Sequence, residues 1–263
     1  SQSLTLPPAA FLTVQEGCDK FCSFCVVPYT RGAEFSRSIE EIFSEANQLV
    51  ENGAKEITLL GQNVNAYNFK SKKLSDLISE ISKIRDLKRI RYTTSHPRDF
   101  TEDLIDAHLN YEKLMPLIHL PVQSGSNKIL NSMNRKHTVE EYLDLIKKIK
   151  RVKTNIEFSS DFIIGYTGET NNDFIASMKL MKEVKFVNSY SFIFSARPGT
   201  PAFKLKKINS TDAKKRLIEF QNLSEKIKIN YKKNLIGKTA TVLFENKVKN
   251  GNSYFGRDEY FNP

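Results

Sequence analysis

The sequence predicts an α/β protein: a partial, TIM-like (βα)6 barrel followed by the beginning of a small β-barrel. Three observations predict it. Short β-rich runs alternate six times with helical patterns, and such alternation implies parallel strands joined by crossover helices. Each β-rich run is followed by a polar loop, where parallel barrels carry their chemistry. After the sixth unit a long lysine-rich helix leads into a run of alternating apolar and polar residues.

The strands are expected at 10–14, 56–60, 89–93, 117–120, 157–164 and 189–194. Ser38-Ile-Glu-Glu41 has the form of a capping box and opens a helix that stops near Gly53. Thr101 followed by Glu102 and Asp103 places acid at a helix start, where the dipole favours it. Thr138-Val-Glu-Glu141 opens another helix, with Tyr142, Leu145, Ile146 and Ile149 on one face. Further helices are expected over 173–182 and 211–234, then a strand over 238–245 and a turn at Asn250-Gly251-Asn252. The expected division is a linker over 1–8, the barrel over 9–206, a connecting helical segment over 207–236 and an incomplete second unit over 237–263.

The chain has 263 residues, enough for a substantial core, and no apolar run long enough to cross a bilayer. Its formal net charge is +10, which permits a polyanionic partner and fits a solvated lysine-rich surface as well. Trp is absent, so any base stacking would fall to Phe, Tyr or Arg.

All three cysteines lie in one run, Cys18-Asp-Lys-Phe-Cys22-Ser-Phe-Cys25. An odd count at tight spacing excludes a disulfide framework and points to a reducing, cytosolic compartment. Three thiolates on one loop suit three corners of a four-iron, four-sulfur cluster and leave one iron without a protein ligand. Structural zinc is the alternative. It needs a fourth ligand, and His96 or His119 would have to supply it from outside any usual finger spacing.

The other five rim loops are expected at Gly61-Gln62-Asn63-Val-Asn65, Ser95-His96-Pro97-Arg98-Asp99, Pro121-Val-Gln123-Ser124-Gly125-Ser126, Gly165-Tyr-Thr-Gly168-Glu169-Thr170 and Ser195-Ala-Arg197-Pro198-Gly199-Thr200. Each is also a reasonable turn. Arg31, Arg98 and Arg197 suit bidentate contact with a carboxylate or phosphate, or ion pairs on the rim. His96 and His119 suit structural hydrogen bonds equally.

With these runs quoted, the chain resembles the radical S-adenosylmethionine superfamily, and within it the methylthiotransferases of the MiaB type. The matching runs include Gln15-Glu-Gly-Cys18, Leu59-Leu-Gly-Gln-Asn-Val-Asn65, Thr94-Ser-His-Pro-Arg-Asp99 and His119-Leu-Pro-Val-Gln-Ser-Gly-Ser126. The resemblance implies a [4Fe-4S] cluster on Cys18, Cys22 and Cys25, binding S-adenosylmethionine at its open iron. The expected cofactor contacts are Phe24 as an apolar wall for adenine, Gly61 and Gln62 near the amine, Gln123 and Ser126 for ribose, with Asp161 and Arg197 completing the set. It implies transfer of a methylthio group to C2 of N6-isopentenyladenosine beside the anticodon of tRNA. The alternatives are a sibling acting on threonylcarbamoyladenosine or a ribosomal protein, and a non-catalytic RNA-binding module with a structural metal. Further implications are a flavodoxin- or ferredoxin-type electron donor, a cytoplasmic monomer, a second [4Fe-4S] cluster on an upstream domain, and a TRAM-type RNA-binding unit beginning near residue 237. Because the upstream cysteines are not in this sequence, the fragment is expected to cleave S-adenosylmethionine without completing sulfur insertion. Thr167 stands where the family usually has Pro, which is expected to loosen that loop.

Overall fold

A computed structural model describes residues 7–248 and 252–263. Most of the linker expected over 1–8 and most of the turn expected at 250–252 lie outside the described residues. Six parallel strands form the centre: β1 (Ala9–Thr13), β2 (Glu56–Leu60), β3 (Arg89–Tyr92), β4 (Leu117–His119), β5 (Glu157–Ile164) and β6 (Asn188–Ile193). They pair as two three-stranded sheets, β1-β2-β3 and β4-β5-β6. The seam between the sheets is closed by the segment before β4. Ile90 N–H donates to Lys113 O at 2.7 Å and Met115 N–H donates to Ile90 O at 3.0 Å. The result is an open barrel whose free edges are β1 and β6, in agreement with the expected six βα units.

Among the described residues eight α-helices connect these strands or follow them: α1 (Val27–Arg31), α2 (Ile39–Glu51), α3 (Leu74–Ser82), α4 (Glu102–Asn110), α5 (Asn127–Ser132), α6 (Val139–Val152), α7 (Asn171–Val184) and α8 (Ser210–Lys233). Capping boxes at Ser38/Glu41, Thr138/Glu141 and Thr170/Asp173 start α2, α6 and α7, each satisfying backbone donors that have no partner inside the helix. The core lies between the helices and the outward faces of the strands. It contains Leu12, Ile57, Leu59, Ile90, Ile118 and Phe158, all fully or almost fully buried. Burying side chains of this size stabilises the fold by roughly 1.5–3 kcal/mol each before entropy is counted. In α8 only Ala213 and Phe220 are buried, and the Phe220 ring lies 4.7 Å from Phe162 of β5. The rest of that helix is polar, and no helix among the described residues is long and apolar enough to cross a membrane.

Residues alternating with the core positions point inward, as the two-residue period of a strand requires. Inside the barrel Thr58, Arg91, Thr93, His119, Ser159 and Tyr190, together with the apolar Phe11 and Leu117, line a cavity of about 520 Å³. Its floor, at the strands' N-terminal ends, is closed by the chain's own C-terminal segment. Arg89 donates to the carbonyls of Thr241 (2.7 Å) and Arg257 (2.9 Å), and Arg91 donates to those of Asp258 (3.1 Å) and Glu259 (2.9 Å). Glu56 lies beside both guanidiniums, 3.0 Å from Arg91 Nε and 3.7 Å from Arg89 Nη1.

The strand expected at 238–245 forms later, as β7 (Leu243–Lys247), and pairs antiparallel with β8 (Tyr254–Arg257). The register is set by the pairing partner: Gly256 lies close under Leu243 O, where a side chain would not fit. These two strands are the sheet structure of the region among the described residues; a closed small barrel is not formed by them.

Candidate metal centre

The cysteine loop leaves β1 at the C-terminal rim and is fixed before the first cysteine. Gln15 is buried. Its Nε2 donates to Gly17 O at 2.8 Å, and its Oε1 accepts from Asn63 N–H at 3.0 Å. Gly17 has φ +72°, and a Cβ there would collide with Ala33 O, so only glycine serves both the conformation and the space. Its N–H donates to Gln62 Oε1 at 2.7 Å. Gly61 is required for a related reason, because a Cβ there would lie 2.7 Å from Gln15 Oε1. The Gly61-Gln62-Asn63 rim thereby frames the cysteine loop.

A polar network continues along the loop. Lys20 pairs with Asp99 at 2.9 Å, and Asn63 Nδ2 donates to Asp99 Oδ2 at 2.7 Å. Asn65 and His96 exchange hydrogen bonds of 2.8 Å in both directions. The Ser95–Asp99 run thus braces the loop from the third rim position, and His96 Nδ1 accepts from Arg98 N–H at 3.2 Å.

On the opposite flank the segment after α5 grips the loop. Ser23 N–H donates to Met133 O at 2.9 Å, and Asn134 Nδ2 donates to Phe21 O at 2.9 Å. Arg135 Nη1 reaches Cys22 Sγ at 3.7 Å. This arginine was not singled out in the sequence, because 113 residues separate it from Cys22 and no spacing rule connects them.

Cys22 is buried, and Cys18 and Cys25 are half-buried. Burial pushes the Cys18 thiol up to about 11 and raises that of Cys25. Metal uptake therefore has to displace protons from these thiols. Among the described residues no three His, Cys, Asp or Glu side chains converge as a single metal ion requires. The histidines considered for zinc are engaged elsewhere: His96 as above, and His119 against Ser159 Oγ at 2.9 Å. The donor set that remains is three thiols on one loop, beside a buried guanidinium that has no carboxylate partner among the described residues. That set fits an anionic iron–sulfur cluster better than a lone cation.

The fold is shared with known proteins. A family model of the Radical SAM superfamily matches residues 12–181. The chain belongs to that superfamily. Within it, the chain is 56% identical over 256 residues to the tRNA-2-methylthio-N(6)-dimethylallyladenosine synthase of Pelagibacter ubique (strain HTCC1062), covering 96% of this chain and 57% of that relative. It is 56% identical over 258 residues to the synthase of the same name from Wolbachia pipientis subsp. Culex pipiens (strain wPip), covering 96% of this chain and 59% of the relative. This radical SAM chain therefore spans less than two thirds of the curated relatives it matches.

Among solved structures it resembles the radical S-adenosylmethionine methyltransferase TsrM from Kitasatospora setae, with a TM-score of 0.62, 17% identity, and coverage of 75% of this chain and 39% of that one. It also resembles coproporphyrinogen III oxidase (HemN) from Escherichia coli, with a TM-score of 0.60, 14% identity, and coverage of 86% and 54%. At these identities the likeness concerns the fold.

The remaining residues expected to meet a ligand are distributed around the same rim and interior. Phe24 is partly buried and packs against the small apolar cluster formed by Ile129, Met133, Tyr166, Phe194 and Ala202. Gln123 has φ +79°, and its backbone bridges to β5 at Phe162. Ser126 caps α5, and its hydroxyl donates to Asp173 at 2.7 Å. Asp161 lies 3.4 Å from His119 Nε2. Arg31, Arg98 and Arg197 are exposed, without an ion pair among the described residues.

Proposed function

We propose that this chain is the S-adenosylmethionine-cleaving part of a tRNA methylthiotransferase acting on C2 of N6-isopentenyladenosine beside the anticodon. The observation that carries this is the braced loop bearing Cys18, Cys22 and Cys25 in a chain 56% identical to relatives named for that reaction. The three cysteines would hold a [4Fe-4S] cluster. When bound, the cluster and S-adenosylmethionine supply one-electron cleavage of a sulfonium and a carbon radical able to take hydrogen from an unactivated C–H bond.

The chain's own residues supply position and exclusion. Gln15, Gly17 and Gln62 hold the loop in one shape. Phe24, Gly61, Gln62, Gln123, Ser126, Asp161 and Arg197 remain the proposed S-adenosylmethionine contacts. For Gln62 and Ser126 the side chains already serve the frame, so their backbone atoms suit the ligand best. The interior between Thr58 and Tyr190 would receive the purine, with Phe11 and Phe261 as apolar walls.

The second [4Fe-4S] cluster would reside on an upstream domain and supply the sulfur half of the reaction. Residues 237–263, after the connecting segment 207–236, would begin a TRAM-type RNA-binding unit, a reading supported by the hairpin of β7 and β8. A flavodoxin- or ferredoxin-type donor would reduce the cluster of this cytoplasmic monomer.

The test is anaerobic reconstitution with iron and sulfide. Four irons per chain and an EPR signal that changes on adding S-adenosylmethionine are expected. With reductant and an anticodon stem-loop deuterated at adenine C2, deuterium should appear in 5′-deoxyadenosine. Bound zinc with no response to S-adenosylmethionine would overturn the reading. Deuterium uptake only from threonylcarbamoyladenosine RNA would redirect it to the sibling substrate.

A further inference from the structure

Arg135 is held in place more firmly than a surface arginine needs to be. Its neighbours Asn134 and Lys136 both adopt left-handed backbone, with φ +58° and +59°. For a lysine this conformation costs on the order of 1–2 kcal/mol, so the surroundings impose it. Two such residues in close succession turn the Arg135 side chain inward, where it is only 5% exposed. Nη2 donates to Pro121 O at 2.5 Å, Nη1 points to Cys22 Sγ at 3.7 Å, and Nε has no partner.

A guanidinium stays charged, and burying it without a counter-charge is costly. No carboxylate among the described residues is paired with it. The titratable groups it acts on directly are His96, His137, Tyr142 and the cysteines, while the nearest carboxylates, Glu141 and Asp161, face His137 and Tyr142 and form no ion pair with it. Of the groups in contact with Arg135, the Cys22 thiol is the one that gains negative charge when a cluster is carried on the loop.

We infer that Arg135 is the counter-charge of the cysteine-bound cluster, steadying Cys22 and favouring the cluster's reduced, more negative form. The inference rests on the reading that the three cysteines hold a [4Fe-4S] cluster. With three thiolates an oxidised cluster of core charge 2+ carries net charge −1. One electron from an external donor takes it to −2, and no bond is made or broken in that step. A fixed positive charge and an N–H···S contact both favour the second state, because cluster potentials follow net charge and hydrogen bonding to sulfur. Arg135 is thus a positioning and charge-setting residue, and it need not touch the substrate.

The experiment compares the wild-type chain with Arg135→Gln and Arg135→Lys, all reconstituted anaerobically with iron and sulfide. The reduction potential is read by an EPR-monitored redox titration without S-adenosylmethionine or RNA. Arg135→Gln should shift the potential to a more negative value, and Arg135→Lys should restore most of the shift. An arginine with only a structural role would reduce cluster yield in both variants and leave the potential of the loaded fraction where it was. Coincident potentials therefore overturn the inference. If Arg135→Gln does not fold by circular dichroism, Arg135→Met against Arg135→Lys asks the same question with matched length, and coincidence again overturns it. A wild-type chain that takes up no iron and sulfide would instead sink the cluster reading itself.

Discussion

Gly17 and Gln62 tie the start of the cysteine loop to the rim after β2: the Gly17 N–H donates to Gln62 Oε1 at 2.7 Å across 45 positions of sequence. The glycine makes this contact with a left-handed φ of +72°. Gly17→Ala should strain the backbone by about 1–2 kcal/mol and also drive a methyl group into Ala33 O. The barrel should survive, because Gly17 lies outside the hydrophobic core. Iron uptake on reconstitution should fall sharply while far-ultraviolet circular dichroism is unchanged. Normal iron content would show that the loop tolerates the displacement.

The acceptor side of the same contact is testable separately. Gln62→Leu leaves Gly17 N–H without its partner, a loss of about 1–3 kcal/mol for a buried donor. For a domain of this size that corresponds to a fall in Tm of about 2–4 °C per kcal/mol. Gln62→Glu retains an acceptor and should lose less. Equal Tm values for the two variants would mean that the hydrogen bond contributes little.

Asp173 predicts a pH dependence. Burial opposes its ionisation, but hydrogen bonds from Ser126 and Thr170, with Lys128 at 2.9 Å, outweigh it and hold the carboxyl well below the usual range. A depressed folded pKa means that the unfolded chain binds the proton first. Its contribution is present above the ordinary carboxylate pKa of about 4 and is lost as pH falls toward the folded value. Wild-type stability should decline between about pH 5 and pH 2 more steeply than that of Asp173→Asn. Parallel denaturation midpoints across that window would contradict this assignment.

Glu56 lies between two buried arginines, so removing its charge should be severe. Glu56→Gln leaves Arg89 and Arg91 without their shared carboxylate, a change of about 3–5 kcal/mol when a buried pair is broken. Because those arginines hold residues 257–259, limited proteolysis should cut the C-terminal segment faster in this variant. Unchanged cleavage would show that main-chain contacts hold the segment unaided.

The proposed RNA partner carries its own signature. Lys228, Lys232 and Arg257 are among the residues lining the cavity. Affinity for an anticodon stem-loop should fall linearly on a logarithmic salt scale, and Lys232→Ala should flatten the slope by about one phosphate contact. A salt-independent affinity would argue against a polyanionic ligand at these residues.

Local signals reported local structure well. Capping residues at Ser38 and Thr138 announced α2 and α6, and the cysteine run lies on one loop as its spacing implied. α3 escaped notice although Leu74, Leu77, Ile78 and Ile81 repeat with helical spacing, because Lys73 precedes it where a Ser, Thr, Asp or Asn cap would have marked the start. The strand expected at 238–245 moved to 243–247 because pairing with β8, not propensity, selected its register. Around the metal centre, what remained hidden was every long-range contact. Gln62 reads in sequence as a group free to meet a ligand, and in the fold its carbonyl oxygen is taken by Gly17. Arg135 reads as one more basic residue until the left-handed turns at 134 and 136 aim it at Cys22.

The closure of the barrel floor has a consequence for how this protein can change over evolutionary time. Arg89 and Arg91 grasp peptide oxygens of residues 241 and 257–259, not their side chains. Such a grip does not itself read the side chains at 241, 257 and 259, so substitutions there can accumulate without removing it, whereas Asp258, whose carboxylate accepts from Tyr260 N–H and Asn262, is tied to its place. Spacing is what it senses. Adding or deleting a single residue between Arg257 and Glu259 would offset the Asp258 and Glu259 carbonyls from Arg91 while those of Thr241 and Arg257 stay with Arg89, so length at this point should be guarded.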